Sequence, residues 1–167
     1  MEPWVRLDEA SASEARELLR TCCGAARWAD DMLARRPFRD RKTLVAAARD
    51  VWFALDPDDW LDAFRQHPRI GDRESLRRRF GTSGDLSGQE QRGVSGASED
   101  VLAALAEGNR LYEAKFGFIF IVCATGRTAG EMLALLRERL RNDYDTELRN
   151  AAAEQARITE LRLLGLH

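Results

Sequence analysis

Histidine is almost missing from this chain: of 167 residues, only His67 and His167 carry an imidazole. One internal histidine and scattered carboxylates cannot supply a zinc site, and Cys22-Cys23 lacks partners at zinc spacing, so no metal is expected. Cysteine is sparse too. Cys22, Cys23 and Cys123 are odd in number, with two adjacent, which does not form the regular framework of a small secreted domain and points to a reducing, intracellular setting. No apolar run approaches the ~20 residues that span a bilayer. The acidic, polar start MEPWVRLDEA has no signal-peptide character, and the final Leu-Gly-Leu-His is not a peroxisomal address. A soluble cytoplasmic protein with no membrane partner is the expectation. Excess charge of one sign is also absent. The 26 basic and 28 acidic residues leave a net charge of -2, which gives no general attraction to nucleic acid. Basic clusters at Arg39, Arg41 and Lys42, and at Arg77, Arg78 and Arg79, are diluted by nearby acids and have no interleaved aromatics. They read as solvated helix faces. GTSGDLSG lacks the lysine and the strand-to-helix context of a phosphate loop.

What the chain does have is helical punctuation. Ser11 and Glu14 make a capping box ahead of Ala15, Leu18, Leu19 and Cys22 at helical spacing. Trp28, Met32 and Leu33 mark a helix that must stop before Pro37. Leu44, Ala47, Ala48, Val51 and Leu55 follow Asp40 in phase, and Trp60, Leu61 and Phe64 mark a short helix from about Asp58. Residues 71 to 96 are the most loop-like stretch, too long for an ordinary connector. Leu102, Leu105, Asn109, Tyr112 and Phe116 form the stripe of a long helix. FGFIFIVCATG is the only β-like run and has no partner strand in sight, so an extended segment packed among helices is expected. Thr128 and Glu131 then cap a helix carrying Leu133, Leu136 and Leu140, and a last helix begins near Thr146. The expected fold is all-α: a single-domain helical bundle over residues 1-167 with one extended apolar segment at about 117-125.

Three places invite chemistry. On the last helix, Leu148, Ala151, Ala152, Gln155, Ile158 and Thr159 share one face, and Arg162 falls inside the same arc. It is either a side chain snorkelling near a helix end or a guanidinium aimed at ligand oxygens. His67 is followed by Pro68, which fixes the backbone direction, and by Gly71, which permits a tight turn, in a helix-end loop of the kind that carries catalytic groups. Glu90 stands three residues after Ser87, as in a capping box. Cys123 reads as a packed small hydrophobe.

HPRIGD at 67-72, Ser87-x-x-Glu90-Gln91, KFGFIFIVCATGRTAGEMLALLRERL at 115-140 and ITELRL at 158-163 together resemble the OHCU decarboxylase family, in order and over nearly the whole chain. Members convert 2-oxo-4-hydroxy-4-carboxy-5-ureidoimidazoline, an intermediate of urate breakdown, to (S)-allantoin. The resemblance implies a cofactor-free, all-helical decarboxylase that forms a homodimer. It implies catalytic roles for His67, the proton donor, and for Glu90 and Arg162. It also implies a substrate-binding set of Pro68, Ser87, Gln91, Phe120, Ile121, Val122, Cys123 and Ala124, with the apolar segment offering backbone groups. Two other readings stay open: a non-catalytic module that binds an acidic partner through its arginines, and a relative acting on another carboxylated heterocycle.

Overall fold

The computed structural model describes residues 1-68 and 98-167 and, between them, Leu76 and Arg78. Among the described residues there are eight helices and no strand. They are α1 (Pro3–Glu9), α2 (Ala12–Cys22), α3 (Ala26–Ala34), α4 (Arg41–Phe53), α5 (Pro57–Arg65), α6 (Glu99–Phe116), α7 (Ala129–Arg139) and α8 (Tyr144–Leu164). The fold is all-α, and the described chain divides into two compact units.

The first unit holds Met1–His67, Ile121–Cys123 and Leu148–His167. Two of its helix starts, those of α2 and α4, are set by short polar side chains. Ser11 and Glu14 complete the capping box of α2, and the Asp40 carboxylate accepts from Thr43 N at 2.7 Å at the start of α4. α1 was not expected from the sequence: it is only seven residues long, starts on Pro3 without a side-chain cap, and buries Leu7. Its Asp8 carboxylate accepts the backbone N–H groups of Phe38 (2.8 Å) and Arg39 (2.9 Å). Arg36 donates back to the Leu7 and Ala10 carbonyls. This bracket holds the loop around the cis Arg36-Pro37 bond and keeps Arg39 at φ 73°, a left-handed conformation that costs a non-glycine residue roughly 1–2 kcal/mol.

Tryptophans organise the core of this unit. Trp28, on α3, donates its indole N–H to the Ala48 carbonyl at 3.2 Å, and Trp60, on α5, donates to that of Trp52 at 2.9 Å. Trp52 itself, on α4, donates to the Ala152 carbonyl of α8 at 2.9 Å. Each buries a large apolar surface while its single polar atom finds an acceptor. Alanines 151, 152 and 156 on α8 are small enough for that indole to approach the backbone.

The second unit spans Pro68–Phe120 and Ala124–Glu147. Here α6 starts at the Ser98 cap and ends on Gly117, whose φ of 80° is the left-handed conformation a helix C-terminus favours. It packs closely on α7: a Cβ on Gly108 would lie 2.5 Å from Leu136 Cδ2. The Asp143 carboxylate accepts from Thr146 N at 2.8 Å, so α8 starts at Tyr144, two residues before the position expected from its first turn. Glu147, 0% exposed, is the acceptor at the centre of this unit. Tyr112 donates its hydroxyl to Oε1 at 2.6 Å, Arg139 Nε pairs with the same oxygen, and Asn142 donates to Oε2 at 3.0 Å. Burial, the largest cause, pushes the Tyr112 pKa far up, so its phenol stays a donor.

Residues 117-124 are neither helix nor strand, as expected of the apolar run. Phe118 and Phe120 lie edge-on to Tyr112 at centroid distances of 5.8 and 5.3 Å, and the Arg139 guanidinium sits 4.6 Å from the Phe120 ring centroid.

Candidate active site

His67 follows the C-terminal end of α5. Its backbone N–H donates to the Phe64 carbonyl at 3.2 Å, and the side chain is half-buried while Pro68 is exposed. The residue before it, Gln66, lies against Gly24 in the α2–α3 connection: a Cβ at position 24 would fall 2.3 Å from Gln66 Cγ. Glycine at 24 therefore lets the end of α5 seat directly on that connection.

The imidazole reaches α8. His67 Nε2 lies 2.5 Å from Gln155 Oε1. An amide oxygen only accepts, so the ring nitrogen is the donor. The other end of the same amide donates to Thr159 Oγ1 at 3.0 Å, and the Thr159 hydroxyl acts on the Cys23 thiol, partly offsetting the rise that burial gives its pKa. Gln155 is 0% exposed and Thr159 4%, one turn apart on the buried face of α8. Among the described residues, the result is a chain of polar groups from His67 into the interior with every buried side-chain donor and acceptor satisfied.

The electrostatics follow from burial. Desolvation pushes the His67 pKa below the usual imidazole value; the Gln155 hydrogen bond opposes this, and the positive charge of Arg162 adds to it. Burial pushes the Cys23 thiol up to about 11 and raises Cys22 as well, so both stay protonated and un-nucleophilic at neutral pH. Arg162 falls on the helical arc of Gln155 and Thr159, yet the residue as a whole is exposed. Its guanidinium donates to the Cys22 carbonyl at 3.5 Å. The arginine is thus a partly exposed member of the cluster whose charge acts on His67.

Of the residues singled out from sequence, His67 and Arg162 share this cluster. Phe120, Ile121, Val122, Cys123 and Ala124 lie on the non-regular segment, with Ile121 buried at 2% and Val122, Cys123 and Ala124 half-buried. Ser87, Glu90 and Gln91 lie outside the described residues. Gln155 was visible only as a member of the inward face of the last helix; a buried glutamine belongs to no motif, and its contact with His67 spans 88 positions. An open groove of about 470 Å³ lined by Arg41, Lys42, Val45, Ala46 and Glu160 includes none of these groups. No helix among the described residues is long and apolar enough to cross a membrane.

Residues 8–164 match the model of the OHCU decarboxylase family. The chain belongs to the OHCU decarboxylase family. It is 40% identical over 148 residues to the uric acid degradation bifunctional protein TTL of Arabidopsis thaliana, covering 88% of this chain and 45% of that protein. It is 35% identical over 104 residues to the 2-oxo-4-hydroxy-4-carboxy-5-ureidoimidazoline decarboxylase of Xenopus laevis, covering 61% of this chain and 58% of that one. The chain thus spans less than half the length of the bifunctional plant relative. Among solved structures, an OHCU decarboxylase crystallised in the presence of (S)-allantoin superposes with a TM-score of 0.70 at 38% identity, covering 92% of this chain and 96% of that one.

Proposed function

We propose that this chain is a carboxy-lyase of urate degradation that decarboxylates 2-oxo-4-hydroxy-4-carboxy-5-ureidoimidazoline to (S)-allantoin without a cofactor. The observation that carries the reading is the half-buried imidazole of His67, held by Gln155 and kept largely neutral, in a chain whose family match runs over residues 8–164. The family likeness to an OHCU decarboxylase crystallised with (S)-allantoin supports the choice of substrate.

The substrate can accept its own electrons. The bond to the departing carboxylate breaks and its electron pair flows into the adjoining ring imine, leaving carbon dioxide. A C–H bond forms when that carbon or its neighbour takes a proton, and the ring nitrogen left with the negative charge takes one more from solvent. A neutral His67 suits this sequence, because it can accept a proton from the substrate hydroxyl and return it to one face of the ring. Stereospecific allantoin requires that delivery. Glu90 would hold the substrate hydroxyl or the imidazole, and Arg162 the anionic side of the ligand. Gln91 would read the ureido amide through its donor and acceptor, with Ser87 and Pro68 beside it. Backbone groups of Phe120, Ile121, Val122, Cys123 and Ala124, in a segment that is neither helix nor strand, suit a small polar ring. We further read the chain as one functional domain, cytoplasmic and homodimeric, with no nucleic acid or membrane partner.

The test is to generate the substrate from urate with oxidase and hydrolase and to follow the chirality of the allantoin formed. Wild type should give the S enantiomer rapidly, and His67→Asn should lower turnover ~10²-fold or more with the fold retained. If both proteins leave only the slow racemic background, the decarboxylase reading is wrong.

A further inference from the structure

The direction of the hydrogen bonds around His67 has a chemical consequence. Gln155 stands on α8 between two partners, and its two ends are not equivalent: the amide nitrogen faces Thr159 Oγ1 at 3.0 Å and the amide oxygen faces His67 Nε2 at 2.5 Å. The Thr159 hydroxyl oxygen accepts from the amide nitrogen, which leaves the amide oxygen to His67. Turning the amide over would set its NH₂ against His67 and oblige that ring nitrogen to accept. The buried turn of α8 that carries Ala152, Gln155, Ala156 and Thr159 is pinned by the Trp52 indole on the Ala152 carbonyl, which keeps the amide in register with the end of α5.

We propose that Gln155 is a positioning residue that fixes the tautomer of His67: Nε2 keeps its proton toward Gln155 throughout, and Nδ1 is the nitrogen that takes up and gives back the proton of the reaction. The inference rests on the reading of His67 as proton carrier. An imidazole free to exchange tautomers would present the wrong nitrogen part of the time, and a shuttle working at one ring face needs the same nitrogen at both transfers. The amide oxygen also favours the imidazolium formed midway, because it accepts from Nε2–H more strongly when the ring is charged. The charged group that acts on the ring is Arg162 on α8, which opposes protonation.

The experiment is a long-range ¹H–¹⁵N spectrum of the uniformly ¹⁵N-labelled full chain above the titration of the ring. With only two histidines present, the His67 signals are those lost in His67→Asn. Wild type should show a protonated Nε2 and an unprotonated Nδ1. Gln155→Leu should give averaged tautomers, a kcat about 10- to 100-fold lower with KM within about twofold, and an acid limb of the rate profile moved to lower pH. Gln155→Glu keeps an acceptor in place and should retain the Nε2–H tautomer while moving that limb to higher pH. A wild-type ring protonated on Nδ1 would overturn the proposal. So would a Gln155→Leu protein that loses only stability, with the tautomer and the pH profile unchanged. Full turnover in His67→Asn would instead remove the proton-carrier reading, and the wild-type spectrum reports the tautomer without any turnover.

Discussion

Replacing Glu147 by glutamine should destabilise the protein far more than its conservative shape suggests. Three donors converge on this carboxylate: the Tyr112 hydroxyl and Arg139 Nε on one oxygen, and Asn142 Nδ2 on the other. An amide offers one acceptor oxygen and turns the other position into a donor, so at least one of these groups meets N–H instead of oxygen. The larger effect is charge. Arg139 is only 7% exposed, and replacing Glu147 removes the buried carboxylate with which its guanidinium pairs. Removing one partner of a buried pair costs about 3–5 kcal/mol. For a chain of this length that corresponds to a fall in Tm of roughly 6–20 °C. Urea unfolding of Glu147→Gln, Arg139→Met and the double variant Arg139→Met/Glu147→Gln should show each single change costing several kcal/mol and the double variant less than their sum. The Arg139 guanidinium also stacks on Phe120, so KM should rise in both single variants. A loss below about 1 kcal/mol in Glu147→Gln, or strictly additive single effects, would refute the picture of a coupled buried ion pair.

Three further outcomes are expected. Gly24→Ala places a methyl 2.3 Å from Gln66 Cγ, so the end of α5 must shift; stability should drop by about 1–3 kcal/mol in urea unfolding and turnover should fall with it, since His67 is the next residue. Arg39→Gly relieves a left-handed non-glycine conformation on an exposed loop and should be neutral or up to about 1 kcal/mol stabilising by thermal melting, unlike most surface-to-glycine changes. The depressed pKa of His67 means that the unfolded chain binds a proton there at a higher pH than the folded one. Its contribution is present above the ordinary imidazole pKa and is lost as pH falls through that value toward the lower folded one. Stability measured across that window should therefore rise with pH in wild type, and part of the slope should vanish in His67→Asn.

Most helix boundaries were legible because capping is local. Ser11 with Glu14, Asp40 and Thr128 each announce a start within four residues, and the structure has those caps in place. The apolar run from Gly117 was legible as non-helical for the same reason, through its composition. α1 was not, because a seven-residue helix without a side-chain cap carries almost no periodic signal, and what holds it is the distant loop at 36–39. The scarcity of histidine drew attention to His67. Its partner could not be found that way, since Gln155 is one polar residue on an otherwise ordinary buried face and acquires meaning only through a contact across 88 positions. Arg162 shows another limit. A helical wheel gives the direction in which Cβ leaves the backbone, but not the group that a long side chain reaches, here the Cys22 carbonyl on another helix.

The indole of Trp52 on the Ala152 carbonyl has an evolutionary corollary. It clocks α8 at a single point, and everything beyond it is set by rotation: three steps to Gln155, seven to Thr159, ten to Arg162. One residue inserted or deleted before Gln155 would swing all three by about 100° and dissolve the polar chain at a stroke. Relatives that keep this chemistry should vary in the other letters of that span but not in its length.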